Sequence, residues 1–329
     1  MITQQIKKSF ENKKVLVTGG TGLIGRQIVD LLLGFGSFVK TVSLDQLNLW
    51  NDVDHHIGDL TDFNYVKEIT KDVDFVFHVA GIKGSVVVTE KKPANFFVPM
   101  LMMNSNVLEA CRINHVSKIV YTSSIGAYAQ NSILKEVHYE EEEKPMDSFP
   151  GWAKRMAEKQ IQSYKIQYGL TNFAVVRLCN VYGPGDNFNT ESGMVIPSLM
   201  SRIFLRQEDP ILIWGDGSAI RDFAFSKDVA EGIILAMFYG INGNYINLSS
   251  GYGVSIKELV ETLNQIVDFD YKFDDTKPSG FPKRIMDISL AKDKLGFDPK
   301  TNLKEGLSIT WKWFKKHHKE HIKKIDYFK

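Results

Sequence analysis

Val15-Leu16-Val17-Thr18-Gly19-Gly20-Thr21-Gly22-Leu23-Ile24-Gly25 is the stretch from which the fold can be read. The short apolar run Lys14–Thr18 suits a buried strand. A glycine-rich turn follows. Leu23–Phe35 then carries Ile24, Ile28, Leu31 and Leu32 on one helical stripe. Strand, glycine turn and helix in this order let a backbone approach the diphosphate of a dinucleotide, with the helix N-terminus facing the negative charge. Gly19, Thr21, Gly22, Leu23, Ile24 and Gly25 are therefore expected to hold such a group, and Gly25 also lets the helix sit close to the strand. A tight turn with no ligand is the plainer alternative.

A second strand, Val39–Leu44, leads to Asp45, about 20 residues beyond Gly25, where a carboxylate would accept the adenosine ribose hydroxyls. That carboxylate would repel a 2′-phosphate, and no Arg lies between Lys40 and Asp45 to offset it. NAD is expected rather than NADP. Gly58-Asp59-Leu60 could meet the adenine edge or simply make a turn.

Outward from this point, β-rich runs alternate with helical patterns. Asp74–Val79, Lys118–Ser123 and Phe173–Leu178 read as strands. The segments from about Ala94 to Ile113 and from Pro150 to Tyr168 read as helices, Pro150 falling in a first turn where a missing N–H costs nothing. This alternation predicts an α/β fold, a Rossmann-type doubly wound parallel sheet. After Leu178 the order changes. Gly183–Phe188 is loop-like, Ile211–Trp214 and Asn244–Leu248 read as strands, and Ser255–Val267 as a helix. The tail from Asp268 reads as irregular, then helical from Leu303. The expected division is a dinucleotide-binding domain over residues 1–178, to which a strand near 226–249 returns, and a smaller mixed α/β substrate lobe over 179–329.

Composition excludes several classes. Of 329 residues, 40 are Lys or Arg and 39 are Asp or Glu, so net charge gives no reason to expect nucleic acid or an anionic membrane as partner. The 2 cysteines, Cys111 and Cys179, cannot build a disulfide framework or a Cys-only zinc site. His55, His56 and His78 lack metal-ligand spacing, so no metal is expected. No apolar signal core opens the sequence and no uncharged run is long enough to span a bilayer, which points to a cytoplasmic protein. The acidic run Glu140–Glu143 and the basic stretches Lys315–Lys319 and Lys323-Lys324 read as solvated surface.

Asp59-Leu60, His78-Val79-Ala80-Gly81, Thr122-Ser123-Ser124 and Gly151-Trp152-Ala153-Lys154 follow an order that resembles the extended short-chain dehydrogenase/reductases acting on nucleotide sugars. The resemblance runs along nearly the whole chain. Asn180–Phe188, Val195-Ile196-Pro197, Trp214–Gly217, Arg221-Asp222-Phe223, Lys277-Pro278 and Pro282-Lys283 are similar to the GDP-fucose synthase branch. The resemblance implies that Asp59, Leu60, Val79, Ala80, Gly81, Lys154 and Leu178 also contact NAD. It implies that Asn180, Val195, Arg202, Arg221 and Lys283 hold a GDP-sugar, the basic groups suiting its diphosphate. It further implies a homodimer through the helices at 94–113 and 150–168, whose apolar stripes would otherwise be core.

The family's chemistry uses a Ser, a Tyr and a Lys, the last two spaced Tyr-x-x-x-Lys. Ser124 and Lys154 fit; the tyrosine position holds Pro150. The usual proton acceptor is missing, and Tyr128, His138, a nearby Glu or water are candidates for its place. In GDP-fucose synthases a Cys and a His epimerise C3 and C5; the matching positions are Gly126 and Met194, neither of which can exchange a proton. Ser124 is followed by Ile125-Gly126 rather than the Asp-Glu pair of 4,6-dehydratases. The reading that remains is NAD-dependent redox at C4 of a GDP-linked sugar of mannose or manno-heptose type, giving a 4-keto sugar for capsule or lipopolysaccharide assembly. A 4-epimerase with tightly held NAD, and a protein that binds NAD and sugar nucleotide without turnover, are the alternatives.

Overall fold

A computed structural model describes residues 1–138 and 143–321. Residues 140–142 of the acidic run, and Lys323-Lys324, lie outside the described residues. The first half contains α1 (Gln4–Phe10), β1 (Lys14–Thr18), α2 (Gly25–Gly34), β2 (Phe38–Ser43), β3 (Asp54–Ile57), α3 (Phe63–Ile69), β4 (Phe75–His78), α4 (Val86–Lys91), α5 (Pro93–Ile113), β5 (Lys118–Ser124), β6 (Ile133–Leu134), α6 (Ser148–Tyr168) and β7 (Phe173–Leu178). The second half contains β8 (Asn180–Tyr182), α7 (Val195–Leu205), β9 (Ile211–Trp214), β10 (Ile220–Arg221), β11 (Phe223–Phe225), α8 (Ser226–Tyr239) and β12 (Tyr245–Leu248). It continues with β13 (Val254–Ser255), α9 (Ile256–Asn264), β14 (Tyr271–Asp274), β15 (Lys283–Met286), α10 (Ser289–Leu295) and α11 (Leu303–His321).

Seven strands form one parallel sheet in the order β12-β7-β5-β4-β1-β2-β3. Alternation along β1 shows how the sheet is buried on both faces. Val15 and Val17 join a core with α1, α2 and α8, whereas Leu16 joins the opposite core with α3, α5 and α6. A third core gathers α7, α9 and α11 with β9 and β11. The strand order reverses between β1 and β4, which opens a crevice at their C-terminal ends, the usual ligand position in such a sheet.

The strand expected near 226–249 is β12, which pairs with β7 in the main sheet, and the apolar helix α8 precedes it. Two expectations change. The tail from Asp268 is not irregular. Tyr271 and Phe273 lie among the apolar residues on the third core, and β14 pairs with β9; β15 pairs with β10 and β6. Finally, α2 begins at Gly25 rather than Leu23, because the Gly22 amide closes a turn onto the Gly19 carbonyl at 2.9 Å and keeps Leu23 and Ile24 in the loop. Among the described residues no helix is long and apolar enough to cross a membrane.

Candidate active site

The glycine turn sits in the crevice. Gly19 has φ +69°, and a Cβ there would stand 2.9 Å from the Ala80 backbone. A Cβ on Gly25 would collide with the Gly19 carbonyl. The turn therefore leaves a concave, backbone-lined space before the N-terminus of α2, whose first turn no side chain caps. The residues fit a dinucleotide diphosphate. Thr21 is buried and donates its hydroxyl to Asp45 Oδ2 at 2.8 Å, so the carboxylate is held against the loop at the end of β2. Asp45 Oδ1 accepts the Leu47 amide at 3.2 Å. Arg26, just inside α2, donates to the Thr21 carbonyl at 2.7 Å and pairs with Glu320 of α11 at 2.8 Å, its guanidinium lying over Trp313. Val79, Ala80 and Gly81 leave β4 beside this turn, the Ala80 amide donating to Thr18 Oγ1 at 3.2 Å. Leu178 ends β7 in the sheet interior. Asp59 is exposed and accepts the Thr61 amide, a turn role, while Leu60 is buried in the core beneath it.

Lys154 comes to the same crevice from α6. Its Nζ donates to the Thr122 carbonyl at 2.7 Å, lies 5.1 Å from the Tyr121 ring centroid, and would stand 3.7 Å from a Cβ at Gly81. Burial lowers its pKa to about 8, with the Glu158 carboxylate opposing. A lysine so placed can donate to ribose hydroxyls, and with a pKa near 8 it is still the ammonium at neutral pH. Ser124 ends β5, and its Oγ accepts the Gly126 amide at 3.1 Å. A buried network keeps α6 in register with the sheet: Arg177 of β7 binds Glu158 at 3.0 and 2.6 Å, and Glu158 accepts from Ser123 at 2.5 Å. His78 is buried between Thr18 and Asn104, and burial together with the Lys154 charge brings its pKa to about 3, so it is a neutral structural residue.

The tyrosine gap is not filled by Tyr128. That residue is 1% exposed, gives its hydroxyl to Asn247 at 2.9 Å and lies under the Arg177 guanidinium; burial raises its pKa, so it is no proton acceptor. Pro150 occupies the third position of α6. On the substrate side, Arg221 donates to the Ile220, Phe281 and Ser279 carbonyls, and burial beside Arg284 lowers its pKa to about 10. Its register partner on β15 is Arg284, whereas the exposed Lys283 pairs with Ile220 and so points to the other face. Arg202 is engaged by Glu208 and the Leu212 carbonyl. Asn180 donates to the Asp222 carbonyl at 3.0 Å, and Val195 opens α7 against the small lobe's core. The structure thus brings Ser124, Lys154 and the glycine turn together, and sets Arg221 apart with Arg284.

Residues 15–249 match the model of the family described as "NAD dependent epimerase/dehydratase family". The chain belongs to this family. Family relatives include GDP-L-fucose synthase 1 of Arabidopsis thaliana, 30% identical over 94% of this chain and 95% of the relative. The GDP-L-fucose synthase of Escherichia coli is 28% identical over 93% and 97%. Among solved structures, the UDP-glucose 4-epimerase of Thermotoga maritima with UDP-glucose superposes with a TM-score of 0.81 at 29% identity, covering 93% of this chain and 99% of that one. The resemblance read from the sequence and the Rossmann-type sheet are both borne out.

Two residues in this family member escaped the sequence reading. Arg284 was hidden beside Lys283, though strand alternation with Arg221 singles it out. Asp147 had only one visible signal, its place just before a helix that starts Ser148-Phe149-Pro150. Its carboxylate lies against Gly126 Cα and pairs with Arg284 at 2.9 Å.

Proposed function

We propose that this protein is an NAD-dependent oxidoreductase acting at C4 of a GDP-linked sugar of mannose or manno-heptose type, releasing a 4-keto sugar without epimerising C3 or C5 and without dehydration. The observation that carries the reading is the convergence of Ser124, Lys154 and the glycine turn on one crevice, in a chain whose residues 126 and 194 are Gly and Met. The cofactor would lie with its diphosphate on Gly19–Gly25, its adenosine ribose on Asp45 and its nicotinamide ribose on Lys154; when bound it supplies the hydride acceptor. Asp45 favours NAD over NADP through charge. Ser124 would donate a hydrogen bond to the reacting oxygen. Arg221 supplies positive charge on the substrate lobe for a nucleoside diphosphate, and the GDP-L-fucose synthase relatives favour guanosine. The dinucleotide domain of this reading covers residues 1–178 with β12, and the substrate lobe the remainder.

A cytoplasmic homodimer fits the surface of α5 and α6, where Val98, Met102, Phe149 and Met156 are all more than 40% exposed. Incubation with NAD and a panel of GDP- and UDP-sugars tests the activity. NADH absorbance at 340 nm together with a 4-keto product by mass spectrometry is the expected result. Product inversion at C4 without NADH would instead make the protein a 4-epimerase. Binding of both ligands with no exchange of hydride would make it a non-catalytic binder.

A further inference from the structure

The gap at Pro150 and the position of Asp147 share one cause. Asp147 is the N-cap residue of α6, a place where a carboxylate ordinarily accepts the amide of the second or third helical residue. The third residue is Pro150, which has no N–H, and the Asp147 side chain makes no cap bond at all. It turns away from the helix. Its Oδ1 takes the Arg284 guanidinium at 2.9 Å. Its Oδ2 occupies the space that a side chain on residue 126 would fill: a Cβ there would collide with Oδ2 and stand 2.8 Å from the carboxyl carbon. Among the described residues no group donates to Oδ2. Ser124 Oγ accepts the amide of the same Gly126 at 3.1 Å. One glycine therefore holds the serine hydroxyl on its amide and a carboxylate on its Cα. Asp147 keeps 37% of its side-chain surface and Arg284 15%, so the pair meets solvent rather than being sealed in the core.

We propose that Asp147 is the proton acceptor of the reaction and Arg284 its positioning residue. This rests on the oxidoreductase reading above. The O–H bond of the sugar hydroxyl breaks and a new O–H bond forms on Asp147 Oδ2. The hydroxyl oxygen's electron pair closes the C=O bond as the C–H pair leaves as hydride, with an oxidised nicotinamide dinucleotide as its acceptor. The carboxylic acid then loses its proton to solvent through its exposed edge. Arg284 fixes Oδ1 and so aims Oδ2 at the substrate.

Three variants test this: Asp147→Asn, Asp147→Ala and, as a reference, Ser124→Ala. Asn keeps a hydrogen-bond acceptor but cannot take the proton. Asp147→Asn is expected to bind GDP-mannose within threefold of wild type by calorimetry and to lose about 100-fold or more in kcat on the panel sugar that wild type oxidises. Asp147→Ala is expected to weaken GDP-mannose at least fivefold while leaving GDP unchanged, and to regain at least tenfold in kcat with added formate. Ser124→Ala should gain nothing from formate. A fall of less than tenfold in Asp147→Asn, or no formate rescue, overturns the assignment while wild-type turnover leaves the oxidoreductase reading standing. If wild type oxidises nothing in the panel, that reading fails. The calorimetric arm then decides the Asp147 contact without turnover, because equal loss of GDP and GDP-mannose, or loss of neither, overturns it.

Discussion

Replacing Lys154 by methionine should make the protein more stable while destroying its activity. The fold holds the Lys154 ammonium in an almost dry place and lowers its pKa from 10.5 to about 8. That displacement corresponds to about 3 kcal/mol of native-state penalty carried at neutral pH. Methionine keeps much of the aliphatic stem and no charge. The lost bond to the Thr122 carbonyl offsets about 1 kcal/mol, and Glu158 retains Arg177. A net gain of about 2 kcal/mol, or about 3 °C in unfolding temperature for a chain of this size, is expected for the ligand-free protein at pH 7. The gain has a defined pH course. Between the folded value near 8 and the unfolded value of 10.5 the unfolded chain binds the extra proton, so wild-type stability rises with pH there. The penalty is complete below pH 8 and is relieved above it, so the Lys154→Met advantage should shrink steadily from pH 8 to pH 10. Thermal unfolding followed by circular dichroism across that range is the assay, with NADH formation measured in parallel. A variant less stable than wild type at pH 7, or a difference that does not change between pH 7 and 10, would refute the argument.

Other perturbations separate the parts of the site. Asp45→Ala removes the carboxylate that Thr21 holds at the ribose position; NAD should bind about tenfold more weakly and the preference over NADP should vanish in fluorescence titrations. Glu158→Ala removes the carboxylate that faces Arg177 in the sheet, where the arginine side chain is 0% exposed, and should cost about 3–5 kcal/mol in denaturant unfolding. Gly126→Cys restores the side chain type of GDP-fucose synthases, yet its Cβ displaces the Asp147 carboxylate. That variant should lose activity and the Arg284 ion pair, and NMR of recovered sugar should show no C3 or C5 exchange.

The sheet was legible because its strands announce themselves locally. Lys14–Thr18 and Phe173–Leu178 fall where the sequence places them, as does Ile211–Trp214 outside the main sheet. The Gly19–Gly25 loop was readable for the same reason, since backbone close approach leaves glycine as its mark. What stayed hidden depends on partners distant in sequence. Strands β14 and β15 are four residues each and acquire strand character from β9, β10 and β6. Arg284 matters through Arg221 and Asp147, 63 and 137 positions away in the chain. Asp147 stands at the N-cap position of α6, and only the geometry shows that its side chain caps nothing.

The bond between Arg26 and Glu320 joins residues 294 positions apart. A chain made from its N-terminus completes β1, the glycine turn and α2 early, when neither Glu320 nor Trp313 yet exists. Until then the guanidinium beside the nucleotide loop has no carboxylate to neutralise it and no indole to cover it. The charge balance beside the nucleotide loop thus depends on an element made long after the loop itself. Docking of α11, rather than folding of the first domain, is the step at which that guanidinium gains its carboxylate and its indole cover.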